Sequence, residues 1–433
     1  MSAERFKFRG ALASLDQASL SAMLDRGAAT SDAMRGDVAA IIARVRREDD
    51  AALFAMAREF DRVELAALEV PRERCREAWD ALEPGLRSAL ERAARNIETF
   101  HRAGAPTAFE IETEPGVRVG RRPDPLGSVG VYAPGGRAAY LSSVLMGAIP
   151  ARAAGVRSVV LCSPPGPNGW PNATVLAAAE CAGVDRVFAI GGAGAIAALA
   201  YGTTSVPRVD RVVGPGNAWV AEAKLQIAGA CSIDSPAGPS ELLVIADAHA
   251  DPDVVAREML AQAEHDPDAS VIALVLSAAL AERIAAATER ALAKAPRRDV
   301  IVAALANHGA LLVADTLEAA IDFATQYAPE HLLLALLDPD AVLPRIRNAG
   351  TVFLGESSSV AFGDYATGAN HTLPTGGLAR SYSGLSTLDF VRWTTWQRVS
   401  PAAAARLASD VHRLALAEGL PAHAAAATGG RAQ

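Results

Sequence analysis

From residue 128 onward the chain alternates short, wholly apolar runs with alanine-rich stretches of helical spacing, and few architectures satisfy that pattern. One series of runs covers 128–132, 158–162, 186–190 and 211–213; a second covers 242–246, 271–276, 310–313, 331–336 and 351–354. A strand that is apolar at every position has both faces covered, so the alternation predicts parallel sheets wrapped by helices. The expected fold is α/β, with two Rossmann-like parallel-sheet domains. Ahead of them, Val38, Ile41, Ile42 and Val45 recur at helical intervals, Pro71 and Pro84 suit first turns, and Gly104 ends the run, giving a helical N-terminal segment over 31–103. Behind them, a helix from about Pro401 stopped by Gly419, and a last turn opened by Pro421, give a C-terminal helical tail. The domain division expected is an arm over 1–30, a first α/β domain made of 31–127 with 233–375, a second over 128–232, and the tail over 376–433.

A length of 433 residues, 51% hydrophobic and 21% charged, suits two or three folding units with their own cores and excludes disorder. The 41 basic and 49 acidic residues leave a net charge of −8, a field that repels phosphate polyanions and argues against nucleic acid as a partner. No apolar stretch approaches the roughly 20 residues of a membrane helix, and the opening MSAERFKFRG carries charges where a signal peptide is apolar, so a cytoplasmic protein is expected. Cys75, Cys162, Cys181 and Cys231 stand far apart without a CxxC pair, which fits reduced, structural thiols.

Two glycine turns follow strands of the first series. Gly192-Ala193-Gly194-Ala195-Ile196-Ala197 fits GxGxxA, a pattern whose amides hold a dinucleotide pyrophosphate, but the acidic residue that should end the next strand is missing: Asp210 precedes the run 211–213. Tight strand-to-helix packing asks for the same glycines. Gly214-Pro215-Gly216-Asn217 repeats the geometry, with Asn217 placed either as a helix N-cap or as a polar contact to a ligand at the strand's carboxyl end.

The second half holds the groups that can do chemistry. Gln262 and His265, three apart at a helix end, share a face on which both can ligate one cation or simply face solvent. Glu330-His331 joins an acid and an imidazole where a helix meets a strand, either as two proton-transfer groups or as a surface pair. Past residue 355 the chain turns loop-like, and within that loop stand Asp364, a hard oxygen donor, and His371, a ligand, base or substrate contact. Together with His423 these form a mixed N/O set that zinc, manganese or cobalt accepts; the metalloprotease motif HExxH is absent.

Several blocks in fixed order carry a resemblance: VGVYAPGGRAAYLSSVLM at 129–146, AIGGAGAIAALAYGT at 189–203, VGPGNAWVAEAK at 213–224, IDSPAGPSELLVIAD at 233–247, QAEHDPDA at 262–269, APEHL at 328–332, GDYATGANHTLPT at 363–375 and AEGLPAH at 417–423. Over about 30–425 the chain resembles the histidinol dehydrogenase family. The resemblance implies a zinc-dependent, NAD-linked four-electron oxidation of L-histidinol through L-histidinal to L-histidine, with one Zn2+ per subunit, closing histidine biosynthesis. It implies zinc ligands at Gln262, His265, Asp364 and His423, and substrate contacts at these four together with Ser240, His331, His371 and Glu418. By the same resemblance His331 takes the hydroxyl proton as hydride leaves, Glu330 activates water, and Tyr132 and Asn217 contact NAD, so the domain over 128–232 binds NAD and the other carries the metal and acid/base residues. It also implies a homodimer whose exchanged tails bring Glu418 and His423 to the other subunit's site.

One departure stands out. The family usually has glutamine at the position of Gly194, where the amide helps hold NAD; glycine cannot, and weaker NAD binding or a rearranged nicotinamide pocket is expected without loss of chemistry. Two other readings share part of the pattern. One is a related zinc and NAD enzyme acting on another small polar alcohol, from which Glu418 and His371 distinguish it; the other is a non-redox zinc hydrolase whose sheet turns only pack.

Overall fold

The computed structural model describes residues 5–26, 31–135 and 140–429. Residues 1–4 and 27–30 of the expected arm, 136–139 of the block at 129–146 and the last four of the tail lie outside the described residues.

Each apolar run forms a strand. In sheet one the order is Phe8–Ala11, Gly309–Val313, Ser270–Val275, Glu241–Ala246, His331–Ala335, Thr351–Leu354, all parallel. In sheet two it is Glu69–Val70, Arg186–Ala189, Ser158–Ser163, Ser128–Tyr132, Arg211–Val213, Ser232–Ile233, parallel except for the first pair. Setting aside the edge strands Phe8–Ala11 and Glu69–Val70, chain order in each sheet is 3-2-1-4-5, the doubly wound order. The first strand of each series therefore lies beside the fourth, at the point where the winding reverses.

Alternation along the central strands divides sheet one into two cores. Leu242, Val244 and Ala246 pack with the helices Pro252–Ala263 and Ala278–Leu292, whereas Leu243 and Ile245 face the helix Leu317–Tyr327. Met23, at the end of the helix Gln17–Leu24, joins the second core, so the arm is part of this unit and not an appendage.

Two expectations are corrected here. The helical segment buries its apolar face on sheet two and not on the sheet formed by 233–375: Val38, Ile42, Leu53, Leu90 and Ile97 belong to the core of sheet two. Periodicity shows that these helices have an apolar face but not which sheet it covers. Nor is the tail wholly helical, because Val391–Val399 is a strand antiparallel to Val117–Pro125, which pairs in turn with Phe109–Glu114. Its sequence VRWTTWQRV is rich in β-branched and aromatic residues that suit a half-covered antiparallel strand. The helices Pro401–Ala417 and Pro421–Thr428 follow as expected.

His101, near the end of the helix Pro84–Ala103, is 1% exposed, and its Nε2 has no partner. Burial pushes this imidazole down to about 4. The folded protein thus holds it neutral while the unfolded chain protonates it below its ordinary value, so stability is full above about pH 6.5 and falls as pH drops toward 4. His101→Leu is expected to remove roughly 1 kcal/mol of the acid loss between pH 8 and pH 5, after allowance for partial solvation. Calorimetric midpoints of both chains at the two pH values check it: the gap must widen in favour of the variant at pH 5.

Candidate active site

The polar groups of sheet one gather at the amino ends of its two central strands. Glu241 opens one strand and His331 its neighbour, and Glu330 precedes His331 after Ala328, a buried residue in the left-handed region at φ 51°. The backbone N–H of Glu241 donates to Glu330 Oε2 at 2.7 Å, and the His331 Nδ1–H donates to the Glu241 carbonyl at 2.9 Å. Since a carbonyl only accepts, that contact keeps a proton on Nδ1, so in the neutral ring the lone pair is on Nε2. Nε2 is buried, has no hydrogen-bond partner and lies 3.7 Å from Asp364 Oδ1.

Glu330 Oε2 stands 3.4 Å from His331 Nδ1. Burial pushes the Glu330 carboxyl up; burial also works against the His331 imidazolium, but Glu330, Asp364 and the Glu241 carbonyl outweigh it and push His331 up to about 9. Both groups are thus shifted toward holding a proton, and a proton on either one stands beside the other.

Asp364 is carried by the short helix Val360–Tyr365. Gly363 permits its approach, since a Cβ there would stand 2.6 Å from the Phe353 ring, which packs against the His331 ring at 6.0 Å. The start of that helix is held by Glu258, which accepts from Val360 N at 3.0 Å. One turn on from Glu258, Gln262 is buried with its Nε2 unpartnered. Exposed His265 lies beyond the helix end, its Nδ1 3.5 Å from Ser240 Oγ.

His371 Nδ1 donates to the Asp364 carbonyl at 2.9 Å, and its Nε2 lies 3.4 Å from Ser143 Oγ. Burial lowers the His371 imidazole; Asp364 opposes this while His331 and His265 add to it, which places all four groups in one neighbourhood. Asn370 Nδ2 donates to Met146 O at 2.8 Å. Ser143 and Met146 belong to the helix Leu141–Ala153 of sheet two, so the loop carrying Asp364 and His371 bridges the two units.

Sheet two presents the opposite strand ends. Beyond its carboxyl ends lies a cavity of about 820 Å3, lined by Tyr132, the turn Gly191-Gly192, Gly194 and Asn217, with Met56 and Asp61 of the helical segment on the far wall. Tyr132 Oη accepts from Gly192 N at 3.1 Å; burial pushes this phenol up to about 12, so it remains a neutral donor. Asn217 Oδ1 caps its helix, accepting from Trp219 N and Val220 N at 3.1 Å, and leaves its amide N–H groups free for a ligand. The preceding Gly214 permits no Cβ, which would stand 2.1 Å from Tyr132 O. Both sides of Gly214 are gripped: Asp234 Oδ2 accepts from its N–H at 2.8 Å, the Lys224 ammonium donates to its carbonyl at 3.1 Å, and Lys224 and Asp234 are ion-paired in the core. Asp210 instead accepts from Ser128 at the strands' amino ends, away from the cavity.

A profile of the family described as histidinol dehydrogenase matches residues 24–429. The histidinol dehydrogenase of Natronomonas pharaonis is 51% identical over 96% of this chain and 97% of its own, and that of Methanosarcina barkeri 46% identical over 95% of each. The chain belongs to the histidinol dehydrogenase family. The crystal structure of the Elizabethkingia anophelis histidinol dehydrogenase superposes with a TM-score of 0.94 at 35% identity, covering 98% of both chains. The family carries out the NAD-linked oxidation of histidinol in histidine biosynthesis.

Of the expected site residues, the fold brings Ser240, His265, Glu330, His331, Asp364 and His371 to the amino ends of sheet one, with Gln262 on the adjoining helix, and places Tyr132 and Asn217 in the sheet-two cavity. Glu418 and His423 are exposed on the tail helices, which pack on each other. Among the described residues, no three His, Cys, Asp or Glu side chains converge to hold a metal ion. Sequence reasoning missed Glu241, Glu258, Ser143 and Asp61. The signal available for Glu241 was an acid opening an otherwise apolar strand.

Proposed function

We propose that this chain oxidises L-histidinol to L-histidine with two NAD, using zinc, in a homodimer whose tails complete each other's sites. The observation that carries this reading is His331, with Nδ1 committed to the Glu241 carbonyl and Nε2 buried without a partner beside Asp364. With a proton on Glu330, His331 is neutral and Nε2 is a base aimed into the site.

With NAD bound, the hydroxyl proton would pass to Nε2 as the carbon bearing that hydroxyl gives up hydride to the nicotinamide, leaving aldehyde, NADH and one proton to be released to solvent. With one proton released to solvent and the remaining one on His331, the Glu330 carboxylate would take a proton from the water that adds to the aldehyde while His331 returns its proton to the aldehyde oxygen, so that His331 is neutral again. The hydrate loses a second hydride to a second NAD and a second proton to His331, giving the carboxylic acid. Ser143 Oγ, 3.4 Å from His371, aligns the His371 imidazole as a contact for the substrate's ring.

Gln262, His265 and Asp364 supply an amide, an imidazole and a carboxylate, a donor set zinc accepts, and the unpartnered end of the buried Gln262 amide fits an oxygen turned toward a cation. Zinc held by these residues and His423 supplies Lewis acidity that makes the alcohol a better proton donor. His423 is exposed on the tail, which supports its reaching the site of a second copy. The cavity over sheet two is of small-molecule size, with Tyr132 and Asn217 as its polar contacts for NAD. Four free cysteines suit a reducing, cytoplasmic setting.

Zinc-loaded protein given L-histidinol and excess NAD is expected to yield two NADH per substrate with histidine as product, and to lose activity on chelation. In Glu330→Gln the first oxidation should outlast the second, leaving nearer one NADH per turnover. A folded, zinc-bound chain that reduces no NAD points instead to a hydrolase or to another alcohol.

Shared sites predict complementation. His331→Ala and His423→Ala, each inactive, are expected to recover about a quarter of wild-type activity when unfolded and refolded together, because half the dimers are mixed and each mixed dimer has one intact site. No recovery places His423 outside the partner's site.

The Gly194 departure acquires a physical form. A Cβ at this position would come within 2.8 Å of Met56 Sδ, so the thioether fills the space a side chain would use. Gly194→Gln combined with Met56→Ala is expected to bind NAD about 2- to 10-fold more tightly than Met56→Ala alone, the worth of one hydrogen bond, whereas Gly194→Gln alone gains less. Titration by protein fluorescence decides; no gain in the pair removes the glutamine argument.

A further inference from the structure

Next to the acid/base residues lies a buried ion pair that the reaction does not use. Arg26, at the end of the described part of the arm, donates from Nε to Glu241 Oε1 at 2.9 Å and from Nη2 to Oε2 at 3.1 Å. Its side chain is 9% exposed and that of Glu241 3%. The guanidinium lies 3.3 Å from the centroid of the Tyr327 ring, and its remaining donors reach the carbonyls of Tyr327 at 2.8 Å and Met23 at 3.1 Å.

Glu241 in turn contacts Glu330, His331 and the Gly376 end of the site loop. Its backbone N–H and C=O hold the Glu330 carboxylate and the His331 ring. Its Oε1 accepts from Gly376 N at 2.8 Å, at the end of the loop that carries Asp364 and His371, and its Oε2 from Glu330 N at 3.4 Å. Arg26 grips the other approach to the same pair, because Tyr327 is followed by the left-handed Ala328 and then by Pro329 and Glu330.

Stability alone does not ask for this arrangement, since a buried ion pair rarely outperforms apolar residues of the same volume. What an apolar pair lacks is the planar fork that satisfies a carboxylate and two carbonyls while stacking on an aromatic ring. We propose that Arg26 and Glu241 are positioning residues: the fork fixes Glu241, and Glu241 holds Glu330, His331 and the Gly376 end of the site loop in one register, so that the N-terminal arm must be docked for turnover.

The inference rests on Glu330 and His331 being the acid/base pair, and it is tested on the full-length zinc-loaded protein. Arg26→Lys keeps the charge and loses the fork; Arg26→Met with Glu241→Gln removes both charges and leaves neither unpaired. Both are expected to lower kcat about tenfold or more while KM for NAD, bound on sheet two, stays within about twofold and zinc content is unchanged. Arg26→Lys should retain more activity than Arg26→Met. Wild-type kcat in either folded variant overturns the proposal, as does a kcat loss that merely follows the fraction of folded protein in both. A readout independent of turnover is the His331 imidazole 15N spectrum, expected to show a hydrogen-bonded Nδ1–H in the wild type and exchange-broadened signals in the double variant. Unchanged signals overturn the proposal even should the wild type prove unable to reduce NAD, an outcome that by itself counts against the oxidation and not against the fork.

Discussion

A parallel strand buried on both faces can present polar chemistry only at its two ends, and this constraint arranges the whole molecule. Residues 242–246 and 332–335 are buried aliphatics with helices on either side, so no functional group fits along them. The acids and the imidazole therefore stand at the first residue of each strand or just before it. The same 3-2-1-4-5 winding in both sheets puts the first and fourth strands side by side, and both sites lie at that reversal. They use opposite ends: sheet two offers its carboxyl ends to the cavity, and sheet one offers its amino ends to the acid/base cluster. Open sheets usually bind at the carboxyl ends, where loops diverge around helix starts. Sheet one departs from that habit because its amino-end groups face across to the helix Leu141–Ala153 of sheet two, through His371 to Ser143 and Asn370 to Met146.

That crossing contact explains why the loop after residue 355 is long and irregular. One loop has to carry Asp364 to His331, carry His371 and Asn370 to the other unit, and return to Glu241 at Gly376. A regular element repeats one direction; these contacts lie in several. The backbone is instead fixed by side chains from elsewhere, Glu258 at Val360, Asn96 at Ala366 and Glu241 at Gly376. Order in this loop is thus a property of the assembled fold and not of its local sequence.

Local physics determined what the sequence could reveal. The central strands were legible almost residue for residue, because burial on both faces leaves an unmixed apolar run that nothing else mimics, and Asn217 was legible as a cap because a glycine turn before a helix calls for one. The helical segment was legible as helices but was given to the wrong sheet, since an amphipathic face such as Val38, Ile42 and Val45 fits either surface until the partner is known. The strand Val391–Val399 escaped notice because it lies among loop and helix signals and pairs across more than two hundred residues with Val117–Pro125. The site residues came from the resemblance more than from spacing: Gln262 and His265 share one helix end, but Asp364 stands on an unrelated element, and only the packing of Gly363 on Phe353 and the bond from Val360 N to Glu258 set Asp364 against His331 with Gln262 on the next turn. Glu241 went unread because its contribution is made largely by backbone atoms, which every residue has.

The cavity over sheet two shows why the GxGxxA match did not point cleanly to a nucleotide. In the fingerprint an acidic side chain ending the next strand meets the ribose; here the carboxylate nearest that location, Asp234, is turned into the core and neutralised by Lys224, where it clamps the Gly214 peptide. Among the carboxyls that line the cavity, Asp61 comes from a helical segment that forms no part of the sheet's own winding; burial pushes it up to about 6, the mark of an acid held in a poorly solvated wall. The sheet thus supplies a rigid floor of glycine turns, Tyr132 and Asn217, while charge and shape on the opposite wall come from helices folded on from an earlier part of the chain. Once the floor and the wall come from different segments, a substitution such as glycine at 194 is absorbed across the cavity: Met56 fills the space that a side chain would have occupied. The Glu330 and His331 cluster, built on the other sheet, lies apart from this packing.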